Sequence, residues 1–384
     1  MHARTAARTS PPGSQAAWCE CQLAGTDARS CAALRPWWAN DHTGRRGELF
    51  IRLQDGGFGN VMHHLWESLF VAVLLDRRPV LIRNGPFGAN FTDFFDLVGG
   101  MRITSYDPVG RVEHVNSVRD AARVLAAPPP PRVPVFMHLF WGFYSSTHTK
   151  FMRIHKDLRR TKGTAASRVA ARFTHLFHHS EPQCWSALFL RPSSLVREAV
   201  VPRVRSICAA VHVRACASLE WKDGCPAHRQ VAQPEVTAVS IAACTGCQSH
   251  ERVHVASDSQ ALMRSLAASP RFSSFATLGR PLHIGKVPRT EWRFTELARI
   301  VYDWASFAYS TRAASLPSSF PATAICMLAP HRNYTVFRPP RAPARLVECG
   351  APLASTHTAF TQSRTARSVH VCALPMEIVS GVQL

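Results

Sequence analysis

The sequence predicts an α/β protein of two halves, each built on a parallel sheet. Short apolar runs of β type alternate with helical segments, and this alternation occurs twice along the chain. Several strands are followed at once by glycine, serine or aspartate and then by a helix, as in βαβ units. With 384 residues, 46% hydrophobic and 18% charged, the chain is long enough to bury two cores.

The first half is predicted over residues 47–195. A strand at 49–53 leads into a glycine-rich turn, a helix with apolar residues at helical spacing covers 60–75, and a buried strand follows at 80–82. The proline run at 128–131 predicts an exposed linker or a stiff loop. Residues 133–143 are predicted to form a strand, and 150–180 to be partly helical.

The second half is predicted over residues 196–348. Residues 1–46 and 349–384 show no sustained period, so both ends are expected to be irregular. The strands and helices predicted around and within the second half are 194–207 (helix), 209–213 (strand), 252–256 (strand), 260–267 (helix), 294–308 (helix), 313–316 (strand) and 318–328 (helix).

The formal net charge is +20, and most of the positive charge is arginine. Such a surface attracts anions, although an arginine-, alanine- and proline-rich composition is also typical of mutational bias. The basic residues are scattered rather than clustered among aromatics, which argues against a nucleic-acid-binding protein. A positively charged cleft for a nucleoside diphosphate fits the same composition.

Twelve cysteines are many for a cytosolic protein. Only Cys244 and Cys247 form a CxxC pair, and no second pair with ligand spacing follows, so no metal site is predicted. Some disulfides in a secretory-pathway lumen are compatible with this count, with the pairing left open. Sequons at Asn90 and Asn333 are compatible with the same compartment.

No transmembrane segment is predicted. The longest apolar stretch, residues 65–75, is short and carries Glu67. Residues 1–15 contain no apolar segment of the kind found in secretory signals. Either the protein is not anchored or the sequence lacks its first exon, and both possibilities stay open.

Four short features follow predicted strands, the position where open α/β sheets bind ligands. The first is the glycine turn at 55–60, where the backbone can approach a ligand and a helix N-terminus favours an anion. The second is the pair His212 and Arg214, which strand alternation places on one face. Arginine binds phosphate through a bidentate fork and keeps its charge.

The other two features lie later in the chain. Asp258 can accept hydrogen bonds from ribose hydroxyls or a guanine edge, and its alternative role is an ordinary helix N-cap. The serines of Pro317-Ser318-Ser319-Phe320 open a helix whose hydroxyls and amides can cradle a phosphate, with a capping box as the alternative.

In order and spacing, these features resemble the fucosyltransferase superfamily that includes the α1,2-, α1,6- and protein O-fucosyltransferases. The resemblance spans roughly residues 48–330. It implies a GT-B-like α/β architecture of two Rossmann-like domains facing across a cleft, the first on the acceptor side and the second on the donor side. The matching motifs are Gly57-Phe58-Gly59-Asn60, His212-Val213-Arg214, Ser257-Asp258-Ser259 and Ser318-Ser319-Phe320.

The resemblance implies an inverting, metal-independent glycosyltransferase of the Golgi or ER lumen. GDP-fucose would be its donor substrate, no cofactor would be needed, and a glycan or glycoprotein would supply the acceptor hydroxyl. Arg214 would hold the β-phosphate and assist the departure of GDP, His212 would support Arg214, and Asp258 would contact the guanosine. The remaining donor-binding residues that the resemblance implies are Gly57, Gly59, Asn60, Ser259, Ser318, Ser319 and Phe320.

Inversion requires a base for the acceptor hydroxyl. Asp55, beside the glycine turn, is the candidate, with Glu67 and His63 behind it, although Glu67 is expected on the polar side of its helix. The residues after Arg214 and before Ser318 depart from the family pattern. A catalytically inactive relative that binds a glycan or a partner therefore stays open as the alternative.

Overall fold

The computed structural model gives the chain a mixed α/β fold. It describes residues 47–53, 57–83, 85–138, 147–179, 186, 188–214, 234–280, 292–315, 318–328, 333–337 and 352–355.

The first half is built on a five-stranded sheet in which every pairing is parallel. Its strand order is β4-β2-β1-β6-β5. The chain leaves β1 toward β2 on one side and later returns to β6 on the other, so the topological switch point lies between β1 and β6. The first six strands are β1 (Glu48–Arg52), β2 (Arg78–Ile82), β3 (Phe95–Leu97), β4 (Arg102–Thr104), β5 (Glu113–Val115) and β6 (Val135–Met137).

The helices that the structure describes in this half are α1 (Phe58–Leu75), α2 (Gly85–Ala89), α3 (Phe91–Phe94), α4 (Val118–Ala126), α5 (Thr147–Arg160) and α6 (Thr164–His179). The longest, α1, packs on β1 and β2, and all but two of its 18 residues are buried. A separate antiparallel pair joins β3 to β7 (Leu190–Pro192), which ties the end of the first half back to its middle.

The second half carries a six-stranded sheet of order β10-β9-β8-β11-β12-β13, parallel except for the last pair. In the order of the chain, this half runs through α7 (Ser194–Val204), β8 (Ala209–Val213), α8 (Pro234–Cys244), β9 (Val253–Ser257), α9 (Gln260–Ala267), β10 (Phe272–Ser273), α10 (Phe294–Tyr309), β11 (Arg312–Ser315), α11 (Ser319–Leu328), β12 (Asn333–Phe337) and β13 (Pro352–Ser355). This is the Rossmann order, with the switch point between β8 and β11. The predicted α/β fold of two Rossmann-like sheets is therefore confirmed.

One buried core runs through both halves. The ring of Phe58, at the start of α1, lies 5.6 Å from the ring of Trp304 in α10 and 6.0 Å from that of Phe320 in α11. A smaller cluster packs α8 and α9 on the opposite face of the second sheet. The predicted domain boundary between residues 195 and 196 stays a prediction. Helix α7, which spans that boundary, packs on α10 within the shared core.

A disulfide joins Cys208, directly before β8, to Cys247, shortly after α8. Cys244 is also disulfide-bonded, so the CxxC cysteines are not held as a pair of thiols. Among the described residues, one group of potential metal ligands is compact enough for an ion, namely Cys208, Cys247 and Glu251. Two of its three ligands are sulfurs already joined to each other.

Several sequence predictions need correction. The helix expected from residue 60 begins at Phe58, because the carbonyl of Gly57 already accepts the amides of Asn60 and Val61. Gly59 therefore lies inside the helix and not in the turn. The tail expected to be irregular supplies β13, which pairs with β12 at the edge of the sheet.

The proline run is anchored rather than a free linker. The buried Arg77 side chain donates to the carbonyls of Pro129, Pro130 and Val133, at 2.7, 3.1 and 2.7 Å. Burial lowers the pKa of Arg77 from its ordinary value. These hydrogen bonds satisfy the guanidinium inside the protein and hold the loop against the amino end of β1.

Within the part of the chain that the structure describes, one helix, α1, is long and apolar enough to cross a membrane. Of its 18-residue window, 89% is buried inside the protein. It is packed as the central core helix of the first half, which accounts for its apolar sequence.

Candidate functional site

Three of the four sequence features meet at the carboxyl edge of the second sheet. His212 pairs in register with Ser315 of β11 on one side and Ala256 of β9 on the other. Arg214, Asp258 and Ser318 follow the ends of these three neighbouring strands. The edge therefore lies at the switch point between β8 and β11, where doubly wound sheets bind ligands.

His212 is buried at this edge, with 8% of its surface exposed. Its ring stacks on Phe320 with centroids 5.3 Å apart and meets Phe307 edge-on at 6.2 Å. Burial first, and the charge of Arg214 second, lower the pKa of His212 from its ordinary value of 6.5 to about 3. The imidazole is therefore neutral at physiological pH, and its Nδ1 has no hydrogen-bond partner among the described residues.

Arg214 supplies positive charge next to that neutral ring. It directly follows β8 and is half-buried. Its electrostatic effect on His212 shows that the two side chains are close enough to interact. A half-buried guanidinium interacts with a phosphate in a lower effective dielectric than a surface arginine would.

At the end of β9, Ser257 and Ser259 form the cap of the next helix, and Asp258 takes no part in that cap. Ser259 is the N-cap of α9, because its hydroxyl accepts the amide of Leu262 at 3.1 Å, and its own amide donates to the Ser257 hydroxyl at 3.1 Å. Asp258 is half-buried and is not the cap, contrary to the alternative considered for it. Capping occupies the Ser259 hydroxyl, which weakens the expectation that it binds the donor.

The late serine motif lies where α11 begins. The Ser318 hydroxyl accepts the amide of Phe320 at 3.3 Å, so Ser318 caps the helix locally. Phe320 is half-buried and links three rings, those of His212, Phe307 and Phe58. A helix N-terminus next to Arg214 is a favourable place for an anion.

Among the described residues of the glycine feature, Phe58 is the one whose ring contacts Phe320 at this edge. Gly57 is the N-cap residue of α1, and Asn60 lies in the first turn of that helix. Asp55, the candidate base, lies outside the described residues. The structure thus brings the start of α1 to Phe320, while the position of the Asp55 carboxylate stays a prediction.

A polar pair on α1 differs from its sequence prediction. Glu67, expected on the polar side of the helix, has a side chain only 3% exposed and lies 3.1 Å from His63 Nε2. Every other residue of α1 is buried except Asn60 and His63. The (i, i+4) spacing of histidine and glutamate in the sequence is the signal that could have indicated this pair.

No protein-family model and no curated protein matches the chain. Solved structures similar to it include fucosyltransferase NodZ from Bradyrhizobium, at 16% identity over 76% of this chain and 96% of that chain, with a TM-score of 0.42. A mutant of Arabidopsis thaliana FUT1 in complex with GDP is 11% identical over 94% of this chain and 90% of that one, with a TM-score of 0.43. POFUT1 in complex with GDP is 15% identical over 76% and 98%, with a TM-score of 0.38.

Proposed function

We propose that the chain is an inverting glycosyltransferase that transfers fucose from GDP-fucose to a hydroxyl of a glycan or glycoprotein. The observation that carries this proposal is the half-buried Arg214 at the switch point of a Rossmann-ordered sheet, beside the start of α11. A fixed cation and a helix N-terminus at one edge are suited to a nucleoside diphosphate. The fucosyl group and the guanine base come from the motif resemblance.

In the proposed reaction, the bond between the anomeric carbon and the β-phosphate oxygen breaks, and its electron pair leaves with GDP. Arg214 stabilises the charge that develops on the phosphate, so no metal is required for that step. The neutral His212 supports Arg214 by its position next to the guanidinium rather than by a charge of its own. The acceptor oxygen forms the new bond from the opposite face, and a base removes its proton.

The remaining site residues keep the roles that the motifs imply. Asp258 would contact the guanosine, and Ser318, Ser319 and Phe320 would contact the pyrophosphate and ribose. Gly57, Gly59 and Asn60 would line the same site from the first half, and Asp55 is the base that the sequence suggests. The disulfide between Cys208 and Cys247 favours an oxidising compartment such as the ER or Golgi lumen.

The donor proposal is tested by calorimetric titration of GDP, UDP and ADP into wild type, Arg214→Ala and Arg205→Ala. Arg205 is an exposed arginine after α7 and serves as the matched control. A lost charge-assisted hydrogen bond of about 1.5–3 kcal/mol predicts about 10- to 100-fold weaker GDP binding in Arg214→Ala. Equal affinity in all three proteins, or tighter binding of UDP than of GDP, would contradict the proposed site.

A further inference from the structure

The helical hairpin formed by α5 and α6 carries a strongly basic surface. Residues 161–163 connect the two helices, and residues 153–172 contain seven arginines and lysines against one aspartate. One of the seven, Arg172, donates to the carbonyls of Val73 and Leu74 in α1. The other six are exposed, and none forms a hydrogen bond or ion pair within the described part of the chain. These six make up the basic surface, namely Arg153, Lys156, Arg159, Arg160, Lys162 and Arg168.

Three of these cations form a row along α5. Ile154 and Leu158 are buried and mark the side of α5 that packs into the core. Arg153, Lys156 and Arg160 lie on the opposite side, spaced three and four residues apart, so they follow one another along the helix surface. Seven residues of helix rise about 10.5 Å, and three positive charges are therefore aligned over about that length.

The row is unfavourable for the helix on its own. Like charges three and four residues apart repel each other and destabilise a helix. Arg159 and Arg160 lie in the last turn of α5, where cations interact favourably with the helix macrodipole, but Arg153 and Lys156 lie before that turn. Among the described residues no carboxylate pairs with the row. A partner outside the chain can therefore neutralise its charge.

The arrangement fits a linear polyanion better than a small anion. An exposed cation in water gains little from a single anion, because the dielectric constant around it is high. A chain of repeated anionic groups contacts several cations at once, and the counterions that are released drive its binding. A row of cations along one helix face can hold such a chain lengthwise.

The surroundings of the row indicate which polyanion it suits. The large hydrophobic side chains that are exposed in the described part of the chain all lie outside the hairpin. The described side chains of α5 and α6 therefore offer no aromatic platform for the bases of a single-stranded nucleic acid, and no apolar anchor for a membrane. The disulfide between Cys208 and Cys247 favours an oxidising compartment, where the common polyanions are sulfated or carboxylated polysaccharides.

We propose that the basic surface of the α5–α6 hairpin binds an acidic polysaccharide. The surface is separate from the proposed donor site. Arg172 ties the hairpin to Val73 and Leu74, near the carboxyl end of α1, whereas Phe58 at the amino end of α1 contacts Phe320. Fifteen residues of helix rise about 22 Å, so the two ends of α1 serve different surfaces. The proposal does not rest on the donor site.

The test measures the affinity of the full chain for heparin and for polygalacturonate at a series of salt concentrations. The variant that removes the row is Arg153→Gln/Lys156→Gln/Arg160→Gln. A cation beside a polyanionic surface contributes about fivefold in affinity, so this variant is expected to bind about 100-fold more weakly than wild type. The slope of log affinity against log salt concentration should become shallower by about 2–3, because three fewer charges release counterions.

Two control variants separate the row from the overall charge of the protein. Arg111→Gln/Arg132→Gln/Arg205→Gln removes the same charge at exposed positions outside the hairpin, and should weaken binding by less than about fivefold. Arg153→Lys/Arg160→Lys keeps the charge and should keep the affinity within the same limit. All the substituted side chains are exposed, so the thermal stability of each variant should match that of wild type.

Several results would overturn the proposal. Wild type might bind neither polysaccharide at physiological salt, the row variant might bind like wild type, or the control outside the hairpin might lose as much affinity as the row variant. Tighter binding of single-stranded DNA, or of vesicles of phosphatidylserine and phosphatidylcholine, would assign the surface to a nucleic acid or a membrane instead. Affinity for GDP should be equal in wild type and the row variant, and its loss in the variant would show that the two surfaces are not separate.

Discussion

Burial determines what the His212 side chain contributes at the carboxyl edge of the second sheet. A histidine next to an arginine in the sequence suggests two positive charges for a phosphate. Its pKa of about 3, lowered mainly by burial, leaves only the guanidinium charged at neutral pH. The phosphate-binding step should therefore depend on Arg214 and show no titration of His212 above about pH 5.

The same burial predicts a pH-dependent stability. The pKa of His212 is lower in the folded protein than its ordinary 6.5, so between these values the unfolded chain holds a proton that the folded protein lacks. The free energy of unfolding therefore falls as pH decreases from 6.5 toward 3, by up to about 1.4 kcal/mol per pH unit from this group. Above pH 6.5 both states are neutral and the contribution is constant.

Urea unfolding at a series of pH values checks this expectation. His212→Gln should show a shallower loss of stability between pH 6.5 and pH 4 than wild type, whatever its stability at pH 7. The exposed His250→Gln variant should follow the wild-type slope. Parallel slopes for wild type and His212→Gln would mean that the imidazole is not buried as described.

At the scale of elements, a buried ionic cluster fixes α10 to the second sheet. Asp303 of α10 lies 3.1 Å from His254 Nε2 in β9 and 3.6 Å from Arg299 Nε. Arg299 also donates to the Gln260 side chain at 3.2 Å and to the carbonyl of Gly279. Since both His254 and Arg299 are at most 1% exposed, the carboxylate is what compensates their burial.

Asp303→Ala should destabilise the protein by about 3–5 kcal/mol, because it leaves a buried guanidinium without its carboxylate. The control is Glu198→Ala, at an exposed position of α7, where a change within about 0.5 kcal/mol is expected. Chemical denaturation of both variants measures the difference. Similar stabilities for the two variants would show that the cluster contributes no net stability.

The positions of β8 and α8 show which end of the second sheet the disulfide stabilises. Cys208 and Cys247 lie before β8 and after α8, and so at the end of β8 remote from Arg214. The bond holds α8 against its strand without entering the carboxyl edge. Its role is therefore structural, and the proposed donor site lies at the opposite end of β8.

At the scale of the whole molecule, the two sheets share one core through aromatic contacts. Phe58 packs edge-on against Trp304 and Phe87, and it also contacts Phe320. The stacked pair Phe94 and Phe294 makes a second connection, at 5.3 Å. Contacts of this kind contribute about 0.5–1.5 kcal/mol each beyond burial, so the halves should unfold together.

Phe58→Ala should lower the stability of both halves, by about 3–5 kcal/mol, because it creates a cavity where they meet. Hydrogen exchange in mild denaturant should show amides of β1 and β8 losing protection in parallel. Tyr106→Ala, at a side chain 79% exposed, should leave both unchanged. Loss of protection in β1 alone would show that the halves are independent units.

Much of the architecture could be predicted from local sequence. Strand β8 and helix α9 begin and end where the apolar spacing placed them, at Ala209–Val213 and Gln260–Ala267. The order of the His-x-Arg, Ser-Asp and Ser-Ser-Phe motifs also indicated strand ends in one sheet. Hydrophobic periodicity and turn-forming residues depend on neighbours a few positions away. Strands, helices and turns of this kind can therefore be predicted from the sequence without knowledge of the fold.

The amino-acid sequence by itself determined the α/β class, the alternation of strands and helices, and which side chains end the strands. Only the tertiary structure decided that His212 is neutral, that Ser259 caps α9, that Glu67 is buried against His63, and that the tail returns as β13. The physical reason is that burial, register and pairing depend on neighbours distant in sequence. A side chain's charge and partners therefore follow from what surrounds it after folding, which local pattern does not contain.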